Sequence, residues 1–169
     1  MASASTQENT QRPKVIIVGG GFGGLYAAKA LSNEPVEVTL IDRKNHHTFQ
    51  PLLYQVALAV LAPGEIASPL RHVLRKAPNV QVLLADVVGF DTAASRVKLN
   101  GGAQLDYDYL IVAAGARHAY FGHDEWEADA PGLKTLEDAV DIRRRLLLAF
   151  EKAERDALLT GRQRPPTFA

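Results

Sequence analysis

Three glycines and one acid carry the clearest chemical pattern in this chain. Gly19-x-Gly21-x-x-Gly24 follows an apolar run at residues 15–18, and Asp42 closes the next apolar run. At this spacing the first glycine permits a sharp turn and the second lets a pyrophosphate approach the backbone. The third lets the following helix pack closely on a sheet. A helix starting there turns its N–H groups and the positive end of its dipole toward phosphate. An acid ending the second strand meets the 2′-hydroxyl of an adenosine ribose and repels a 2′-phosphate, which favours FAD or NAD over NADP. The rival reading, a tight strand–helix turn without a ligand, explains one glycine but not three glycines and the acid.

The other reactive side chains form no recognisable catalytic frame. No Ser/His/Asp set or paired catalytic carboxylates can be picked out, and the glycine turn lacks a Gly-Lys-Ser/Thr ending. No catalytic residue is therefore assigned. A protein that orients a redox cofactor needs few such groups of its own. His46 and His47 are adjacent, so a regular element cannot aim both at one centre; they read as locally bonded loop residues and no metal is expected. Arg143-Arg144-Arg145 is flanked by acids and reads as a solvated helix face.

Composition narrows the classes further. Nineteen basic and nineteen acidic residues balance, which gives no electrostatic reason for a nucleic-acid partner and leaves room for association through an uncovered face. There is no cysteine among the 169 residues, so disulfides, thiolate metal sites and a Cys-x-x-Cys pair are excluded. Any electrons must reside on a bound cofactor. With no cysteine the cytosol is the default compartment; the start lacks a secretory apolar region and no apolar run approaches 18 residues, so no bilayer span is expected and peripheral attachment stays open.

The elements that must position the turn follow from periodicity. Residues 15–18 are apolar without alternation, as in a parallel strand buried on both faces. A helix is expected from near Gly21 to Leu31, stopped by Pro35, and a second strand over 36–41. Residues 45–55 read as a polar-aromatic connection. Residues 65–75 read as an amphipathic helix with Ile66, Leu70, Val73 and Leu74 on one face, its start blurred by Pro69. A third parallel strand is expected at 80–84, then an antiparallel meander at about 87–107 with a hairpin signal at Asn100-Gly101-Gly102. Residues 108–115 read as one more buried strand. Residues 119–136 read as a loop whose Tyr120, Phe121 and Trp126 cover the core. Thr135 is a candidate N-cap for a long charged helix from Glu137. The fold class is α/β: a Rossmann-like parallel sheet of FAD/NAD(P)-binding type with a small antiparallel insertion, expected to be incomplete.

Four stretches together resemble a known family, the type II NADH dehydrogenases, single-subunit NADH:quinone oxidoreductases within the pyridine nucleotide–disulfide reductase class. They are the run from Val15 through Gly24 to Leu25, His47-Thr-Phe-Gln-Pro-Leu-Leu-Tyr-Gln-Val-Ala57, Tyr109-Leu-Ile-Val-Ala-Ala-Gly115, and Tyr120-Phe-Gly-His-Asp-Glu-Trp126 with the segment from Pro131 to Asp138. The resemblance implies FAD with its pyrophosphate over the turn of Gly19, Gly21, Phe22, Gly23 and Gly24. It implies Asp42 at the adenosine ribose, Arg43 beside the adenine end, and Val87 at the adenine. Thr48 and the loop to Leu53 would lie near the flavin ring, with Ala113 and Gly115 close to the cofactor. Family members take a hydride from NADH onto the flavin and reduce a quinone at a membrane surface, which places such a parent at the cytoplasmic face of the inner membrane.

On this resemblance residues 1–12 are a disordered lead and 13–118 the first half of an FAD-binding domain. Residues 119–136 are the aromatic loop, 137–158 the long helix, and 159–169 a tail leading toward an NADH domain not seen here. The family's second glycine motif, quinone site and membrane-binding helices are not found in these residues, so the chain alone is expected to be inactive and capable of homo-oligomerising. Two other readings stand beside this one: another flavoprotein reductase, such as a sulfide:quinone or ferredoxin-type enzyme, and a non-enzymatic, self-associating nucleotide-binding domain.

Overall fold

A computed structural model describes residues 12–161 together with 165 and 166. The expected lead, apart from Arg12, lies outside the described residues, as do residues 162–164 and 167–169 of the expected tail. In chain order the elements are β1 (Lys14–Val18), α1 (Phe22–Ala30), β2 (Glu37–Asp42), β3 (His46–Thr48), α2 (Leu53–Ala57), α3 (Pro63–Ile66), β4 (Ala67–Pro69) and α4 (Leu70–Val73). After them come β5 (Val80–Leu84), β6 (Val87–Asp91), β7 (Arg96–Leu99), β8 (Gln104–Asp106), β9 (Tyr109–Val112) and α5 (Leu136–Thr160). Two compact units result: one holds residues 12–45 and Pro69–Gly115, the other His46–Ser68 and the chain from Ala116 onward.

The first unit is built on a four-stranded sheet in the order β5-β2-β1-β9, with every pair parallel. The unbroken apolar run of β1 is explained by what covers its two faces. Val15 and Ile17 join Leu25, Ala28, Val38, Leu40, Leu70 and Leu74 on the helical side. Ile16 and Val18 join Ile41, Val97 and Leu99 on the meander side. Ile17, Leu40 and Ile41 are fully buried; each such side chain contributes roughly 1.5–3 kcal/mol of apolar burial. The meander is β6-β7-β8, antiparallel, with a register shift between Val87 and Gly89. Its polar side carries the Arg96–Asp106 and Lys98–Asp91 ion pairs. Asn79 braces the loop after α1: its Nδ2 donates to the carbonyls of Leu31, Glu34 and Val36.

Three expectations for the chain before residue 116 are corrected. The helix expected over 65–75 is broken into α3, β4 and α4. Pro69 lacks an N–H and disfavours helical backbone at Ser68; Ala67 is already extended at φ −116°, ψ 123°, Pro69 itself has ψ 127°, and the helix restarts at Leu70. Residues 45–55 are not a plain connection: they form β3, a 3-10 turn at Gln50–Leu52 and the start of α2. β9 is an edge strand among the described residues, with Tyr109 62% and Val112 57% exposed, where a buried strand was expected.

The second unit packs α2 against α5 around Leu53, Val56, Ala57, Ile66 and Ala139. α5 begins with a capping box. Thr135 Oγ1 accepts the Asp138 N–H at 3.2 Å, and Asp138 Oδ2 accepts the Thr135 N–H at 2.8 Å. It ends on Gly161 in the left-handed region. The three successive arginines are engaged within the unit. Arg143 donates to the Leu61 carbonyl, Arg144 pairs with Asp141, and Arg145 binds both Asp141 and the Ala128 carbonyl. The loop aromatics do not cover a core as expected: Phe121 is 93% exposed and Trp126 half exposed, stacked on His123. Phe121 and Gly122 both have positive φ, in a turn closed by the His123 N–H donating to the Tyr120 carbonyl, and this conformation turns the Phe121 ring outward.

Candidate functional site

The glycine turn lies at the carboxyl ends of β1, β2 and β9. Gly19 has φ +106°, a region that side chains rarely enter, and a Cβ there would overlap the Ala113 carbonyl oxygen. Its N–H donates to the Ile41 carbonyl at 2.8 Å, so the turn continues the β1–β2 pairing by one bond. A Cβ on Gly24 would overlap the Gly19 carbonyl oxygen and sit 3.3 Å from Ile17 Cγ2. The third glycine thus lets α1 close down on the turn and on β1. Gly21 differs: nothing lies within 4 Å of a Cβ placed on it. That side of the backbone is open for a ligand.

Gly21 is also the N-cap of α1, and it supplies no side-chain oxygen to the helix N–H groups. The first turn of α1 contains no acid. An uncapped helix start free of negative side chains is suited to an anion. Phe22 and Gly23 form the first two positions of this helix, and Ala113 Cβ lies 3.6 Å from where a Gly23 Cβ would be.

Asp42 closes β2 beside the turn. Its Oδ2 accepts the Gly20 N–H at 2.5 Å and its Oδ1 accepts the Lys44 N–H at 2.6 Å. The carboxylate therefore has backbone work of its own, with lone pairs left for a further donor. Arg43 follows it, exposed. The Ala85 N–H donates to the Asp42 carbonyl, which brings the start of β6 and Val87 to the same end of the sheet. Ala113 donates its N–H to the Val18 carbonyl, and Gly115 follows with φ +74° and open space around it. The first unit therefore gathers Gly19, Gly21, Phe22, Gly23, Gly24, Asp42 and Ala113 at one sheet edge. Thr48, in β3, and Leu53, buried at the start of α2, belong to the second unit.

Two participants escape the spacing argument. Gly20 is the amide that Asp42 holds, and Leu70 is the fully buried side chain beneath it. A fourth glycine within the fingerprint was a visible signal for Gly20. Leu70 reads only as one apolar position of a helix face. His46 and His47 are consecutive residues of β3, and among the described residues no group of three or more potential metal-ligating side chains comes together. What the turn offers chemically is a helix start open to an anion, beside a carboxylate acceptor.

A parallel sheet whose first strand passes through glycines into an uncapped helix, with a meander on its other face, is the architecture of an FAD/NAD(P)-binding fold. Residues 13–155 match the model of the pyridine nucleotide-disulphide oxidoreductases, and the chain belongs to that family. It is 49% identical over 166 residues to the type II NADH:quinone oxidoreductase Ndh of Mycobacterium tuberculosis, covering 96% of this chain and 36% of that protein. Among solved structures it is similar to NDH2 of Plasmodium falciparum in complex with NADH, at 28% identity and a TM-score of 0.76 over 85% of this chain and 30% of that one. The sulfide:quinone oxidoreductase of Aquifex aeolicus is similar at 26% identity and a TM-score of 0.74, over 82% of this chain and 32% of that one. The chain spans about a third of the length of the curated relatives.

Proposed function

We propose that this chain is the FAD-binding portion of an oxidoreductase that passes a hydride from NADH through FAD to a quinone. The observation that carries the reading is the open face of Gly21 at the uncapped start of α1, with Asp42 closing the neighbouring strand. The 49% identity to a type II NADH:quinone oxidoreductase supports the particular substrates. The residues fit the cofactor: nothing lies within 4 Å of a Cβ placed on Gly21, which leaves that face of the turn open for a diphosphate. When bound, FAD supplies the two-electron chemistry that no side chain of the turn provides. In this reading the N–H groups of Gly21, Phe22, Gly23 and Gly24 hold the diphosphate, and the close fit of Gly19 against Ala113 sets the turn.

Asp42 accepts from the adenosine ribose and Arg43 flanks the adenine end, with Val87 at the adenine. Gly115 leaves room for the cofactor beyond β9. Contacts of Thr48 and Leu53 with the flavin ring rest on the family resemblance alone. NADH and the quinone are partners of a longer protein working at the cytoplasmic face of a membrane. Among the described residues no helix is long and apolar enough to cross a bilayer. The 169-residue chain alone does not turn over NADH with quinone in this reading, and it self-associates through exposed apolar positions such as Tyr109 and Val112.

Titration of the purified chain with FAD, followed by flavin fluorescence, tests this reading together with a solution mass and an NADH–quinone assay. Saturable binding at one FAD per chain, a mass above the monomer and no turnover are expected. Absence of FAD binding would contradict the cofactor assignment, a monomeric mass the self-association, and turnover the inactivity of the chain.

A further inference from the structure

Gly20 is gripped from two sides. Asp42 Oδ2 accepts its N–H at 2.5 Å, and Leu70, fully buried, lies directly beneath it. A Cβ on Gly20 would come within 2.6 Å of Leu70 Cδ1 and 3.2 Å of Asp42 Oδ2. The other carboxylate oxygen of Asp42 accepts the Lys44 N–H at 2.6 Å, which ties the chain leaving β2. One residue beyond Lys44, the Asn45 carbonyl accepts the Leu70 N–H at 2.9 Å. The glycine turn, the end of β2 and the start of α4 are therefore linked through a single carboxylate and a single leucine. Their bonds require no ligand.

We infer that Asp42 is a positioning residue for the glycine turn: by holding the Gly20 amide it sets the N–H groups of Gly21, Phe22 and Gly23 before any phosphate arrives. The inference rests on the reading of this turn as a diphosphate site, and it is separate from a ribose contact. A ribose contact acts only on a ligand that carries the sugar, whereas the brace acts on the empty protein and on any ligand of the turn.

The two roles predict opposite signs for a ligand without a sugar. Removing a carboxylate beside an anion site relieves repulsion, so by charge alone Asp42→Ala binds inorganic pyrophosphate more tightly. If Asp42 braces the turn, the same substitution weakens pyrophosphate binding because the N–H groups lose their arrangement. Asp42→Asn is the second variant. It keeps the shape, but its amide nitrogen must face one of the two backbone donors that the carboxylate now accepts.

The experiment combines amide hydrogen exchange of the ligand-free chain with an NMR titration by inorganic pyrophosphate, on wild type and both variants. Exchange of the Gly20 amide is expected to rise on the order of tenfold or more in Asp42→Ala, as for a lost hydrogen bond to a charged acceptor. Ile17 in β1 and the amides of α5 are expected to stay as protected as in wild type, which separates a local brace from general destabilisation. Pyrophosphate affinity is expected to fall in both variants. Unchanged Gly20 exchange, uniform loss of protection that includes Ile17, or tighter pyrophosphate binding each overturns the inference. A wild-type chain that shows no pyrophosphate shifts at residues 19–24 overturns the reading of the site instead, and the exchange comparison then decides the brace by itself.

Discussion

Gly24 shows how one missing methyl group can decide the turn. Its Cα faces the Gly19 carbonyl oxygen so closely that an alanine there must push α1 away from β1. Gly24→Ala is expected to destabilise the chain by on the order of 2 kcal/mol or more, read as a lower denaturation midpoint, with FAD binding lost as well. Gly21→Ala meets open space and is expected to leave stability within about 1 kcal/mol while weakening FAD binding. This contrast separates a packing glycine from a ligand-facing one. At this scale the site was partly legible. The spacing assigned a sharp turn to Gly19 and close helix packing to Gly24, and the structure gives both a steric cause; at Gly21 it shows open space. The bonds of Asp42 to Gly20 and Lys44 were not legible. A carboxylate 22 residues away from its amide partner leaves no periodic trace in sequence.

Elements that obey a single period read well, and those that a proline interrupts do not. β1 announced its burial on two faces through an unbroken apolar run, and the meander showed its short strands and turns. Ile66, Leu70, Val73 and Leu74 keep helical spacing, yet Ile66 ends one helix and the other three belong to the next, Leu74 as its C-cap, with the extended Ala67–Pro69 between them, because backbone chemistry overrides side-chain period. α5 carries a prediction of its own. Partial burial pushes the Asp138 carboxyl upward, but the N–H groups of Lys134 and Thr135, the Thr135 hydroxyl and the charge of His118 outweigh it and hold the carboxyl below the ordinary aspartate value of 3.8. Its folded value is depressed, so its contribution to stability is present above that ordinary value and is lost as pH falls through the lower folded one. Thr135→Ala is expected to cost about 1 kcal/mol near neutral pH. The stability gap between wild type and Asp138→Asn should be present near pH 5 and shrink below about pH 4 in denaturant melts. A gap independent of pH would show that the carboxylate charge does not contribute to the cap.

For the whole molecule, the division into two units was hidden because neither is continuous in sequence. The chain leaves the first unit after Asn45, returns at Pro69 and leaves again after Gly115. Contiguous boundaries drawn along a sequence cannot express that path. The chain spans about a third of the length of the relatives it matches. The central claim is the cradle for a diphosphate at the start of α1, and a crystal structure of the chain grown with FAD tests it most directly. The account predicts the diphosphate within hydrogen-bonding distance of the N–H groups at Gly21–Gly23 and the adenosine ribose at Asp42. FAD bound elsewhere with this turn vacant would contradict it.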